Sequence, residues 1–256
     1  MWTYLWQNFL IDTKIRSYIA DKISALYKEL WCEALIEIWP GKWSITKLIQ
    51  TISPHFFMID KDPTFRDNWQ LNIEYGEFIL SDVLDLDVEM MLKEKKLNPE
   101  KTLVVGNLPY YITSPILRKF FGWKNFVWWL FMVQDEVGQK IKSDAKKKSY
   151  LRWLLNYWCT VTYLKWVPAK CFKPAPKVKS CLIELRIKDE ELKINWEKFI
   201  EFLELFAPFS RKTLWAIQKM IQKKSEISFK IPSALLSKRL ESLSWDELTV
   251  ILAHKA

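Results

Sequence analysis

Seven short apolar runs, each suited to a buried strand, order the first 187 residues of this chain: Ala34–Ile38, His55–Asp60, Glu77–Ser81, Lys101–Gly106, Phe126–Gln134, Tyr157–Lys165 and Ser180–Ile187. Helix-patterned stretches separate the early ones. In Asp12–Leu30 the apolar residues Ile15, Ile19, Ile23 and Leu26 recur near the helical period. Ser44–Thr51, Val88–Lys96, Ser114–Phe121 and Gln134–Ile141 also read as helices. Strands alternating with helices predict an α/β fold with a mainly parallel, seven-stranded sheet covered by helices. No helix is evident between the last two strands, so an antiparallel pair is expected at one end of the sheet. Beyond Ile187 the pattern changes. Lys188–Lys193 is charged and linker-like, and Trp196–Phe206, Arg211–Lys223, Ser233–Leu240 and Trp245–His254 read as helices. Two domains are expected, 1–187 and a small helical 188–256.

The strand ends carry the chemistry. In open α/β sheets ligands bind outside the carboxyl ends of the strands. The fourth run ends in Asn107-Leu108-Pro109-Tyr110. Asn107 offers a carbonyl oxygen that accepts from an amino group, Pro109 stiffens the turn, and Tyr110 offers a flat face for a base. The first run leads into Glu37-Ile38-Trp39-Pro40-Gly41-Lys42-Trp43, the second ends in Asp60, and the third leads to Asp82. An acid about 20 residues beyond a Gly-containing loop suits ribose hydroxyls, and Asp82 suits the amino group of an adenine ring. Together these strand ends outline an adenosine-containing cofactor. No phosphate-loop lysine motif is present, which disfavours ATP hydrolysis, and His55 and His254 sit in poor contexts for a catalytic triad.

One ratio is abnormal. The chain has 15 Trp and 5 Gly, whereas the usual share of roughly 7% implies about 18 Gly at this length. With glycine at 39 and 43, the first loop reads as a nucleotide-binding Glu-x-Gly-x-Gly-x-Gly. The hypothesis that follows is that many of these tryptophans are glycine codons, as where UGA is decoded as glycine. The intact mass of the native protein tests it, and a mass matching the written sequence would end it.

The net charge of +9 favours a polyanionic partner, nucleic acid first. Lys140, Lys142, Lys146, Lys147 and Lys148 form one basic cluster. Lys165, Lys170, Lys173, Lys177 and Lys179 form a second, and Arg211 and Lys212 a third. Four Cys without C-x-x-C spacing and only two His argue against a metal site or a disulfide framework and fit a reducing cytoplasm. No uncharged apolar run reaches membrane-spanning length, and Met1-Trp2-Thr3-Tyr4 lacks a signal-peptide pattern.

Leu5-Trp6-Gln7-Asn8-Phe9-Leu10, Asn107-Leu108-Pro109-Tyr110, Met132-Val133-Gln134-Asp135-Glu136-Val137, Phe172-Lys173-Pro174-Ala175-Pro176-Lys177-Val178-Lys179-Ser180 and Ser210-Arg211-Lys212-Thr213-Leu214 follow one another along the chain. In that order they resemble the ribosomal RNA adenine N6-dimethyltransferases, the KsgA/Erm family, with Trp6 standing for the family's Gly. The resemblance implies a Rossmann-like domain that uses S-adenosylmethionine, a small C-terminal helical RNA-binding or cap domain, no metal, a monomer, and ribosomal RNA or a small-subunit precursor as partner. It implies that Asn8, Leu10, Trp39, Gly41, Asp60, Asp82 and Asn107 hold the cofactor. Asn107 with the Leu108 or Pro109 carbonyl would meet the reacting amine, and Tyr110 and Phe172 would stack on the target adenine. Lys146, Lys147, Lys148, Lys173, Lys177, Lys179, Arg211 and Lys212 would contact RNA. The expected reaction is dimethylation of two adjacent adenines near the 3′ end of small-subunit RNA. The alternatives are Erm-type methylation of large-subunit RNA and a non-catalytic RNA-binding assembly factor.

Overall fold

The computed structural model describes residues 8–66, 73–119, 125–126, 128–143, 149–188, 195–222 and 229–253. Lys146, Lys147 and Lys148, and the Leu5–Gln7 part of the opening motif, lie outside the described residues. The chain forms two compact units, Met1–Gln139 with Cys159–Ile187, and Lys140–Trp158 with Lys188–Ala256. The expected boundary at 187 is one edge of this division, but residues 140–158 belong with the second unit.

In the first unit β1 (Phe9–Leu10) precedes α1 (Thr13–Glu29). The side chain of Asp12 caps α1 by accepting from the Ile15 N–H at 2.9 Å. Ile15, Ile19, Ile23 and Leu26 are its buried face, each contributing about 1.5–3 kcal/mol by leaving water. The helix stops where the N–H groups of Trp31 and Cys32 turn back to the carbonyls of Lys28 and Tyr27, with Trp31 at φ 50°.

Then follow β2 (Ala34–Ile38), α2 (Thr46–Ile49), β3 (His55–Asp60), α3 (Pro63–Arg66), β4 (Glu77–Leu80), α4 (Val88–Glu94), β5 (Thr102–Asn107), α5 (Thr113–Lys119), β6 (Trp128–Gln134) and α6 (Asp135–Ile141). α7 (Tyr150–Trp158) lies in the second unit, and β7 (Cys159–Val167), β8 (Phe172–Lys173) and β9 (Ser180–Ile187) return to the first. The large sheet has the order β4-β3-β2-β5-β6-β9-β7. Its first five strands are parallel, and β9 runs antiparallel to both β6 and β7. Strand order reverses between β2 and β5, which opens a crevice at their carboxyl ends. The two strands approach closely there. A Cβ on Gly106 would lie 2.6 Å from the Ile38 carbonyl oxygen, so only glycine fits. β1 and β8 form a separate antiparallel pair, with Phe9 opposite Lys173 and Leu10 opposite Phe172. That pair ties the N-terminal segment to the Phe172 segment.

The second unit has its own core. α8 (Trp196–Phe206), α9 (Leu214–Gln222) and α10 (Trp245–Ala253) bury Phe199, Phe202, Phe206, Ile217, Leu248 and Ile251. Ser244 and Glu247 cap α10 reciprocally, each side chain accepting from the other's N–H at 3.1 and 3.0 Å. Two expectations change here. The strand expected from Tyr157 begins at Cys159, because Tyr150–Trp158 is helical. A short apolar run suits either element. Packing decides: Trp153 and Tyr157, one helical turn apart, meet Trp245 and Phe199, each pair at 4.6 Å between ring centroids. Ser233–Leu240 holds only a 3-10 turn at Ser233–Leu235, with a second starting at Leu240. The Leu236 and Lys238 carbonyls accept instead from the N–H groups of Trp215 and Leu214.

Candidate active site

A cleft opens at the carboxyl ends of β2, β3 and β5. It is lined by Asn8, Phe9, Glu37, Trp39, Pro40, Gly41, Ser44, Ile45, Asp60 and Asn107–Tyr110. One side is the loop after β2. Its backbone is left-handed at alternate residues, with φ 54° at Trp39, 55° at Gly41 and 62° at Trp43. Such a conformation costs a residue with a Cβ about 1–2 kcal/mol. Gly41 also lies close to Phe9, whose ring would be 3.3 Å from an added Cβ.

Two carboxylates stand beneath this loop. Glu37 projects from a fully buried strand, and Asp60 ends the next one; they are 4% and 2% exposed. Glu37 Oε2 and Asp60 Oδ2 are buried without a hydrogen-bond partner, while Asp60 Oδ1 accepts from the Asp62 N–H at 3.0 Å. Burial pushes the Glu37 carboxyl up to about 8; the Thr46 hydroxyl opposes this, and the Asp60 charge adds to it. Burial likewise pushes Asp60 up to about 6, with the Asp62 N–H opposing and the Asp62 charge adding. Buried, unpartnered acceptors are costly unless a ligand brings donors. Hydroxyls or an ammonium group supply them, so these residues fit an adenosine-type cofactor with an amino-acid tail.

The other side, after β5, is tied down. The Asn107 Nδ2 donates to the Asn8 carbonyl at 3.4 Å. That acceptor fixes which end of the amide is nitrogen and leaves Oδ1 for a ligand. The Leu108 N–H donates to the Met132 carbonyl at 3.0 Å. The Pro109 carbonyl already accepts from the Ile112 N–H and the Thr113 hydroxyl, both at 3.1 Å. Of the two expected carbonyl acceptors, Leu108 is therefore the available one. The Tyr110 hydroxyl is 2.6 Å from the Ser180 Oγ, a fully buried partner that holds the ring in place.

Three expected residues lie elsewhere. Leu10 is packed in the hydrophobic core at 1% exposure, because it pairs with Phe172 across β1 and β8. Phe172 is in the same core at 3% exposure and is not among the residues that line the cleft. Asp82 shapes the turn after β4: Oδ1 accepts from the Leu84 N–H at 3.0 Å and Oδ2 from the Lys61 ammonium at 3.2 Å. Phe9, Ser44, Ile45 and Ser180 join the site although they were not singled out as site residues, and Glu37 enters it from the segment that the sequence marked. Ser180 was legible as the last residue of the Phe-x-Pro-x-Pro segment, and Phe9 as part of the opening motif.

Lys173, Lys177 and Lys179 are exposed, and the Lys179 ammonium lies 5.3 Å from the Trp166 ring centroid. Arg211 and Lys212 are exposed ahead of α9 in the second unit. Among the described residues no group of three or more His, Cys, Asp or Glu could hold a metal. No helix among them is long and apolar enough to cross a membrane.

Residues 3–248 match the family model for ribosomal RNA adenine dimethylase. The chain is 33% identical over 248 residues to ribosomal RNA small subunit methyltransferase A of Chlorobium phaeobacteroides, covering 95% of this chain and 87% of the relative. It is 30% identical over 261 residues to the protein of the same name from Onion yellows phytoplasma, covering 95% and 93%. Among solved structures, a dimethyladenosine transferase from Plasmodium falciparum aligns with TM-score 0.72 at 21% identity over 96% of each chain. The 23S rRNA methyltransferase ErmE aligns with TM-score 0.68 at 20% identity over 96% of this chain and 100% of its own. These two likenesses support the Rossmann-like methyltransferase fold.

Proposed function

This chain belongs to the ribosomal RNA adenine dimethylase family, and from that premise we propose that it dimethylates N6 of two adjacent adenines in a hairpin near the 3′ end of small-subunit ribosomal RNA. The methyl donor is S-adenosylmethionine, whose sulfonium supplies an activated methyl group. Glu37 and Asp60 would hold it through the carboxylate oxygens that are otherwise unpartnered, and the loop after β2 would border its amino-acid end.

The observation that carries the reading is the Asn107 amide, turned by Asn8 so that its carbonyl oxygen is free. Adenine N6 is a poor nucleophile because its lone pair is delocalised into the ring. Accepting its two N–H bonds at the Asn107 Oδ1 and the Leu108 carbonyl favours a more tetrahedral nitrogen with its lone pair directed at the methyl. Positioning and preorganised dipoles supply most of the acceleration. Tyr110, anchored by Ser180, is the face on which the flipped base stacks.

Lys173, Lys177 and Lys179 in the first unit, and Arg211 and Lys212 in the helical unit, contact phosphates, in keeping with the net charge of +9. The protein acts as a cytoplasmic monomer on a small-subunit precursor. The two small-subunit relatives favour this target over large-subunit RNA.

The test is methyl transfer from labelled S-adenosylmethionine to small- and large-subunit RNA, followed by mapping of the modified bases. Dimethyladenines in the small-subunit hairpin are expected. Label in large-subunit RNA would move the reading to the Erm type. RNA binding without transfer, by protein that binds the cofactor, would mark an assembly factor.

A further inference from the structure

Among the described residues, positive φ occurs at Gly41 and Gly76 and at four other residues, Trp31, Trp39, Trp43 and Lys96. Three of those four are tryptophan, a residue that this backbone region disfavours because its Cβ crowds the neighbouring peptide. Trp31 ends α1 at the place where helices most often take glycine. Its ring is 84% exposed, so burial does not offset the strain. In the loop after β2, left-handed residues fall at 39, 41 and 43. That is the spacing of a three-glycine cofactor loop, and only the middle residue is written as glycine. Lys96 holds the equivalent place after α4, so a side chain is borne at one exposed helix end. Three tryptophans, two in one five-residue loop, are a different pattern.

We infer that positions 31, 39 and 43 are glycine in the protein its host makes, and that the loop accepts the amino-acid end of S-adenosylmethionine fully only in that form. The second clause rests on the cofactor assigned above. As written, Trp39 is one of the residues that line the cleft, at the loop that would receive the amino-acid end. Removing the Trp39 ring, which lines the cleft, is the direct way to widen it. The Trp43 ring packs edge-on against Phe65 and Phe78 at 5.8 and 5.9 Å, contacts that glycine forgoes; the backbone decides there. The inference does not extend to Trp128, Trp129 or Trp153. They lie within a strand or helix and are 6%, 2% and 0% exposed.

Peptide masses of the endogenous protein, purified from its host, test the residues directly. Each of the three positions is expected to weigh as glycine, and tryptophan at any of them overturns the inference. Binding of S-adenosylhomocysteine to the written chain and to Trp39→Gly tests the consequence. The variant is expected to bind about tenfold more tightly or better, and equal or weaker binding overturns the second clause. Trp31→Gly should raise the melting temperature by about 2–4 °C without changing that affinity, and a lower melting temperature counts against glycine at 31. If no form binds the cofactor product, the cofactor reading of the cleft fails, and the peptide masses still decide the residues.

Discussion

The two walls of the cleft hold their polar groups to different degrees. After β2 and β3, Glu37 and Asp60 each keep a buried oxygen unpartnered. After β5, the Asn107 Nδ2, the Pro109 carbonyl and the Tyr110 hydroxyl are engaged by the protein, which holds the Asn107 Oδ1 in place for a ligand. The first wall has buried acceptors without partners, which the proposed cofactor would supply. The second is braced by its own hydrogen bonds. The proposed function therefore assigns binding and reaction to different strand ends of one sheet.

The largest expected effect breaks the rigid wall. Asn107→Ala should lower methyl transfer by about a hundred- to a thousandfold while RNA affinity, read by filter binding, stays nearly unchanged. A parallel collapse of RNA binding would remove its catalytic role. Next, Asp60→Asn should weaken cofactor binding by about ten- to a hundredfold. It should also stabilise the cofactor-free protein, because a neutral amide is cheaper to bury than a carboxylate; calorimetry and thermal melts read the two effects.

The same wall gives a pH dependence. Glu37 rises from 4.5 to about 8 and Asp60 from 3.8 to about 6 on folding. Across that window the folded protein holds protons that the unfolded chain has released. Stability of the cofactor-free protein therefore falls as pH rises from about 4 towards 8 and then levels off. Glu37→Gln should flatten the upper half of this fall in urea titrations. A wild-type protein that gains stability across the window would contradict the assignment. The smallest effect sharpens the contrast: Ser180→Ala should slow transfer by about three- to tenfold with cofactor affinity unchanged, since it frees only the Tyr110 hydroxyl.

Much of this was legible in the sequence because it is local. β2, β3 and β9 occupy the expected residues, and Asn107, Tyr110 and Asp60 follow from apolar runs that end in polar residues. What was not legible depends on partners far along the chain. Leu10 and Phe172 are drawn into the core by a pairing that spans over 150 residues. Tyr157 is helical because Phe199 lies against it. Asp82 reads as a free strand-end acid until Lys61 and the Leu84 N–H are seen to occupy it. The tryptophans at 39 and 43 were suspect from composition alone; their left-handed backbone is a separate reason that the sequence does not display.

The division of labour is tested most directly by measuring cofactor affinity and single-turnover methyl transfer at saturating cofactor on Asp60→Asn and Asn107→Ala side by side. A crossover is expected: Asp60→Asn loses affinity and keeps most of its rate, and Asn107→Ala keeps affinity and loses its rate. Two variants that lose both quantities together would contradict the separation of binding from reaction.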